Sequence, residues 1–203
     1  MMKNNIFRTK FDTATIVLIP ACIGINFIGK FFAQALKLPL WLDSIGTCIA
    51  ACLGGPVIGG ISGALNNIIY GLVMGDSISI IYALSSLFIG FFVGVMARSG
   101  FMQTFPKALI TSLVAALAAI VVSTPLNIIF WGGQTGNIWG DAVFAAAQAA
   151  SIPLWLSSFF DEVIVDVPDK IVTLILVFII VKSLPEKLTS LYAGSDEIER
   201  LDQ

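Results

Sequence analysis

The chain has 203 residues, of which 57% are hydrophobic and 12% charged, whereas a soluble domain is near half apolar and a quarter charged. That balance excludes an ordinary soluble domain, and the pattern excludes an outer-membrane barrel, whose strands alternate apolar and polar residues. A net charge of −2 without a basic tract leaves no nucleic-acid partner, and the absence of histidine removes the commonest metal ligand and general base.

The sequence predicts an all-α integral membrane protein with six transmembrane helices in one bundle. Residues 1–12 form a cytoplasmic N-terminus, 13–183 the bundle and 184–203 a cytoplasmic tail. Residues 1–12 are polar and basic, and 13–28 are apolar up to Lys30 and the triplet Ala33-Gln34-Ala35. This start imitates a secretory signal, but it is read as a retained first span that Pro20 kinks. Residues 38–53 form a short second span entered through Pro39, Trp41 and Asp43. Gly54-Gly55-Pro56 is a tight turn, and 57–74 is the third span. Small residues recur at helix-packing spacing, as in Gly46 with Ala50, Gly59 with Gly63 and Gly60 with Ala64. Packing inside the bundle and packing against a second membrane subunit both fit them.

Gly75-Asp76-Ser77 is a turn, 78–96 the fourth span and 108–130 the fifth. A Gly-rich loop with Trp131 and Trp139 spans 131–141, and 142–150 suits a short helix at the surface. Pro153 and Trp155 lead into the sixth span. Six spans put both termini on one side. Lys3, Arg8, Lys10, Arg98, Lys107, Lys182, Lys187 and Arg200 fall on that side, and Lys30, Lys37 and Lys170 on the other. The positive-inside rule then makes the termini cytoplasmic and the Gly/Trp loop external.

The sixth span opens with Asp161, Glu162, Asp166, Asp169 and Lys170, with Pro168 among them. On one helix, Glu162, Asp166 and Asp169 or Lys170 form a single stripe. Ionisable groups at membrane depth are expensive and face a polar cavity or each other. The alternative is a helix that starts near Ile171, with the charges solvated and Asp166–Lys170 an ordinary i,i+4 pair. In the six-span topology the polar residues gather in the outer half: Asp43, Asn67, Tyr70, Tyr82, Asn127 and the acidic stripe. An outward-facing pocket under the 131–141 loop follows, with Asp43, Asn67, Tyr70, Tyr82, Asn127, Trp131, Trp139, Glu162, Asp166, Asp169 and Lys170 as candidate binding residues. Asp161 lies off the stripe and is expected to matter less.

Other motifs carry no chemistry. Gly24–Lys30 matches the start of a phosphate-binding loop, but Phe31 stands where Ser or Thr is needed and the segment is apolar. Cys22, Cys48 and Cys52 read as buried free thiols, because two thiols on one face make a poor zinc site. Asp43 with Asp166 is a geometrically possible carboxylate pair for aspartyl catalysis, but neither sits in a motif. The chain is read as a non-enzyme without cofactor or metal.

The stretch from Leu40-Trp41-Leu42-Asp43-Ser44-Ile45-Gly46-Thr47 through Gly54-Gly55-Pro56 to Asn66-Asn67 resembles the substrate-binding S components of energy-coupling factor (ECF) vitamin transporters. The segment 161–170 is similar to the start of the sixth helix in a subgroup of them. The resemblance covers roughly residues 13–185. It implies a high-affinity vitamin site near the outer surface of a bacterial cytoplasmic membrane, and a partner module of one scaffold membrane subunit and two ATPase subunits. It also implies a scaffold contact through small residues of the first helix. Here that helix offers only Ala21, Gly24 and Gly29, so the small residues at 46–64 are expected to contribute.

Two other readings stand beside it. A membrane sensor domain should continue into a signalling domain, and only the polar segment 184–203 follows the last span. A stand-alone carrier usually shows internal repeats, and none is evident. Aromatic residues and an excess of acids over bases favour a small hydroxylated or protonatable heterocycle, such as pyridoxine or a thiamine-type pyrimidine, over the anion pantothenate.

Overall fold

Capping residues set where the helices begin and end in the computed structural model, which describes residues 11–192. Lys3, Arg8, Lys10 and Arg200, used above to orient the chain, lie outside them. Helix α1 (Thr13–Ala35) starts at Asp12, whose carboxylate accepts the Thr15 amide at 2.9 Å, and runs unbroken through Pro20. The tight turn at Gly55, with φ +86°, separates α2 (Ile45–Gly54) from α3 (Pro56–Met74). Pro56 is suited to a first helical turn, where its missing N–H costs nothing. Gly75 ends α3 in the left-handed conformation, and Asp76 then caps α4 (Ser77–Ile81).

Helices α5 (Ala83–Arg98), α6 (Phe105–Trp131) and α7 (Ile138–Ala149) follow. Helix α8 (Leu154–Ser183) is the longest, and α9 (Glu186–Thr189) is a single turn. No strand occurs among the described residues.

Two expectations need correction and one alternative is decided. The second span is helical only from Ile45, and 38–44 is irregular. The fourth is broken at Tyr82 into α4 and α5. The sixth begins at Leu154 with Pro168 inside it, so all five charged residues are helical, as the stripe requires, and the alternative start near Ile171 does not occur.

The chain is a membrane-embedded helical protein. Helices α1, α3 and α6 are long and apolar enough to cross a membrane, and α2 and α5 are shorter apolar helices. Large apolar side chains such as Ile28, Phe31, Leu72, Val73, Leu117 and Ile129 point outward, while Asn26, Thr47, Asn67, Asn127 and Asp161 are buried. That inversion suits a lipid solvent, in which polar groups find partners inside the bundle.

The small residues serve packing within the bundle. A Cβ on Gly46 would lie 1.9 Å from the Cys22 carbonyl oxygen, and one on Gly90 would lie 2.2 Å from that of Gly59. A Cβ on Gly63 would lie 2.3 Å from the Ser86 oxygen. These contacts join α1 to α2 and α3 to α5. The cysteines are free as expected, although Cys52 is only half-buried.

The close approach at Gly46 lets α1 cap α2. Ser44, at the N-cap, makes no capping bond through its side chain. Instead Asn26 of α1 accepts the Gly46 amide at 2.7 Å and donates to Thr47 Oγ1 at 2.9 Å. Leu18, Cys22, Ile58, Val93, Leu174 and Val177 close the core with apolar packing.

Candidate solute-binding site

A cavity of about 220 Å³ is lined by residues of α1, α3, α4, α5, α6 and α8 and of the loops that hold Trp41, Asp76 and Thr135. Its α8 wall carries Glu162, Asp166 and Lys170, which repeat at i, i+4 and i+8 and so share one face. All three are at least 96% buried. Glu162 accepts a hydrogen bond from Asn127 Nδ2 at 2.5 Å. Asn127 in turn accepts from the Tyr82 hydroxyl, and Tyr82 stacks on Trp131 with centroids 5.4 Å apart. A relay of side chains thus fixes Glu162 from behind.

Lys170 lies between two carboxylates, with Nζ 2.5 Å from Asp169 Oδ2 and 3.6 Å from Asp166 Oδ1. Asp169 faces away from the cavity and accepts the backbone amides of Trp41 and Leu42 at 3.0 and 2.8 Å. That places Trp41 and Asp43 on the cavity wall. No hydrogen bond or ion pair among the described residues reaches the Asp43 side chain. Asn67 lines the third wall and donates to Ser86 Oγ at 2.9 Å.

The fourth wall is built around Lys30. Its ammonium donates to Ser79 Oγ at 2.8 Å, lies 4.0 Å from Asp76 Oδ2 and sits 3.8 Å above the Tyr70 ring. Gln34, whose Oε1 accepts from the Tyr70 hydroxyl at 3.3 Å, is exposed at the rim, as are Ile78 and Gly136. The cavity opens there.

Six of the candidate residues reach the cavity: Asp43, Asn67, Tyr82, Glu162, Asp166 and Lys170. Tyr70, Asn127, Trp131 and Asp169 stand one layer behind and hold residues that do. Trp139 is not at the cavity. It is 55% exposed, and its indole N–H donates to the Lys37 carbonyl at 3.2 Å. Asp161 is no neutral neighbour of the stripe. It is fully buried and accepts from Thr135 Oγ1 at 2.7 Å and the Thr135 amide at 3.2 Å.

Lys30, Gln34, Asp76, Ser79, Ser123 and Thr135 line the cavity without having been singled out. Asn26, Lys30 and Gln34 recur every four residues along α1, and that polar stripe was the available signal.

No family model, curated protein or solved structure matches the chain.

The chemistry is therefore read from the walls alone. Four carboxylates (Asp43, Asp76, Glu162 and Asp166) face two ammonium groups (Lys30 and Lys170). Both lysines already have anionic partners, whereas Asp43 makes no close ion pair among the described residues and Asp166 shares Lys170 with Asp169. The uncommitted charge is negative. Such a surface attracts a cation or a solute rich in hydrogen-bond donors. No cluster of three or more His, Cys, Asp or Glu suited to a metal occurs among the described residues.

Proposed function

We propose that the chain is the solute-binding membrane subunit of an ECF-type importer, taking up a small water-soluble vitamin or precursor. The observation that carries this reading is a small, charged cavity at one end of a bundle whose outward side chains are apolar. Its volume lies below the roughly 300–1,000 Å³ of sites for drug-sized ligands, which suits a compact solute. Its uncommitted negative charge favours a protonatable heterocycle of the pyridoxine or pyrimidine kind over an anion such as pantothenate. The resemblance at 40–67 and 161–170 supplies the transporter class and the partners, a scaffold membrane subunit and two ATPases.

In this reading α1, α2, α3, α5, α6 and α8 are six spans of a bacterial cytoplasmic membrane protein, both termini are cytoplasmic, and the cavity faces outward. The shortness of α2 and the break at Tyr82 accord with it, because irregular backbone at membrane depth is tolerated where it lines a cavity.

The test is a thermal-shift panel of vitamins on the purified protein, paired with co-purification from membranes. A true ligand at 100 times its Kd adds about 2.7 kcal/mol of stability. A panel without any stabilising vitamin, together with a tagged protein that brings down no ATPase, sinks the proposal.

A further inference from the structure

We propose that Asp161 and Asp169 are positioning residues, each clamping one of the two loops that cover the cavity, and that neither touches the solute. Both carboxylates project from α8, eight residues apart, which is about 12 Å along the axis. Each is fully buried, and neither lines the cavity.

Their acceptor capacity is spent on backbone and on neighbours. Asp169 Oδ1 takes the amides of Trp41 and Leu42, and Oδ2 takes Lys170. Asp161 Oδ2 takes the Thr135 amide, and Oδ1 takes the Thr135 hydroxyl. That hydroxyl accepts in turn from the Asn137 amide at 3.2 Å, so the clamp reaches the first turn of α7.

The clamped loops need such support. Leu42 holds φ +50° and Lys37 φ +51°, a region that side-chain-bearing residues rarely adopt. Glycine makes room at both contacts. A Cβ on Gly29 would lie 2.0 Å from the Leu42 carbonyl oxygen, and one on Gly140 would lie 2.0 Å from Asp161 Oδ1. The first loop also meets the first turn of α7, which follows the second loop, through Lys37 and Trp139. Trp41 from one loop and Thr135 and Gly136 from the other face the cavity, so the clamps set the shape of its cover. Helix α8 thus supplies the acidic wall and also fixes both loops above it.

The functional meaning of the clamps rests on the binding reading above, but their test needs no solute. Amide hydrogen exchange is followed in the full-length protein in detergent. In Asp169→Ala, exchange at Trp41 and Leu42 is expected to speed about tenfold or more, with Thr135 unchanged. Asp161→Ala should reverse the pattern. Asp161→Asn and the double variant Asp169→Asn/Lys170→Met keep an acceptor oxygen for the loop amides and should stay near wild type in exchange at those amides. Because Asp169→Ala removes the nearer of the two carboxylates at Lys170, Asp169→Ala/Lys170→Met is measured beside it and should free the same two amides. Loosening of both loops by either change, protection unaltered in both alanine variants, or failure of both Asp161→Ala and Asp169→Ala/Lys170→Met to fold overturns the proposal. A vitamin panel without a hit bears on the importer reading and leaves the exchange result intact.

Discussion

Replacing Lys170 by Met tests the charge arrangement on which the cavity wall depends. The Lys170 and Asp169 side chains are 2% and 0% exposed and 2.5 Å apart, with Asp166 at 3.6 Å on the other side. Methionine fills much of the same volume but leaves two buried carboxylates without their cation. Breaking a buried pair by removing one partner costs about 3–5 kcal/mol. For a chain of this length each kcal/mol lowers Tm by about 2–4 °C, so the expected drop is about 6–20 °C. Asp169→Asn in the same background removes the nearer of the two orphaned charges and keeps an oxygen for the Trp41 and Leu42 amides. The double variant should therefore recover part of the loss. Burial also predicts that the drop is alike in low and high salt, since mobile ions do not screen a buried pair well. The assay is thermal unfolding in detergent, followed by intrinsic fluorescence, for both single variants and the double. A Lys170→Met protein that melts with the wild type refutes the buried ion pair, and a double variant no better than Lys170→Met refutes the assignment of its partner.

Asp166→Asn preserves shape and removes charge from the cavity wall, and should weaken a cationic vitamin by about ten- to a hundredfold in calorimetry. Unchanged affinity would move the charge contact to Asp43. Gly29→Ala drives a methyl group against the Leu42 carbonyl at 2.0 Å, so it should destabilise by about 1–3 kcal/mol or displace the 36–44 loop. A wild-type melting temperature with unaltered exchange at Leu42 would show that α1 and this loop are not in contact. Trp139→Ala loses one exposed hydrogen bond to Lys37, worth about 0.5–1.5 kcal/mol, so solute release should quicken about two- to tenfold by stopped flow. Equal release rates would leave the cover to the aspartate clamps alone. Cysteines at Gln134 and Gln103, both exposed and in loops on either side of α6, should label oppositely with an impermeant reagent in intact cells. Equal labelling contradicts the outward-facing cavity.

Composition and local chemistry determine the class and most of the helices. An apolar chain without alternation must satisfy its backbone internally, and helices do that segment by segment. Gly75 and Gly132 stop helices because they reach the left-handed conformation without a Cβ penalty, which is legible at each position. The i, i+4, i+8 spacing of Glu162, Asp166 and Lys170 puts them on one face once the segment is helical, and that too needs no tertiary information. What the sequence left open was whether α8 began before or after those charges. Capping rules favour neither start, and the burial of the charges against the rest of the bundle decides it.

Only the tertiary structure separates Asp166, on the wall, from Asp169, three residues away and turned toward a loop. Its partners, Trp41 and Leu42, are 128 and 127 residues distant in sequence. Asp161 was set aside because it lies off the stripe, and its partner Thr135 sits in a loop whose path periodicity does not address. Lys30 reads as the polar end of an apolar span until α4 folds back and brings Ser79 and Asp76 to its ammonium. Helix periodicity fixes which residues share a face. Which amide, ring or carboxylate that face meets is fixed by close backbone approaches at Gly29, Gly46 and Gly90, contacts between segments that no local rule relates.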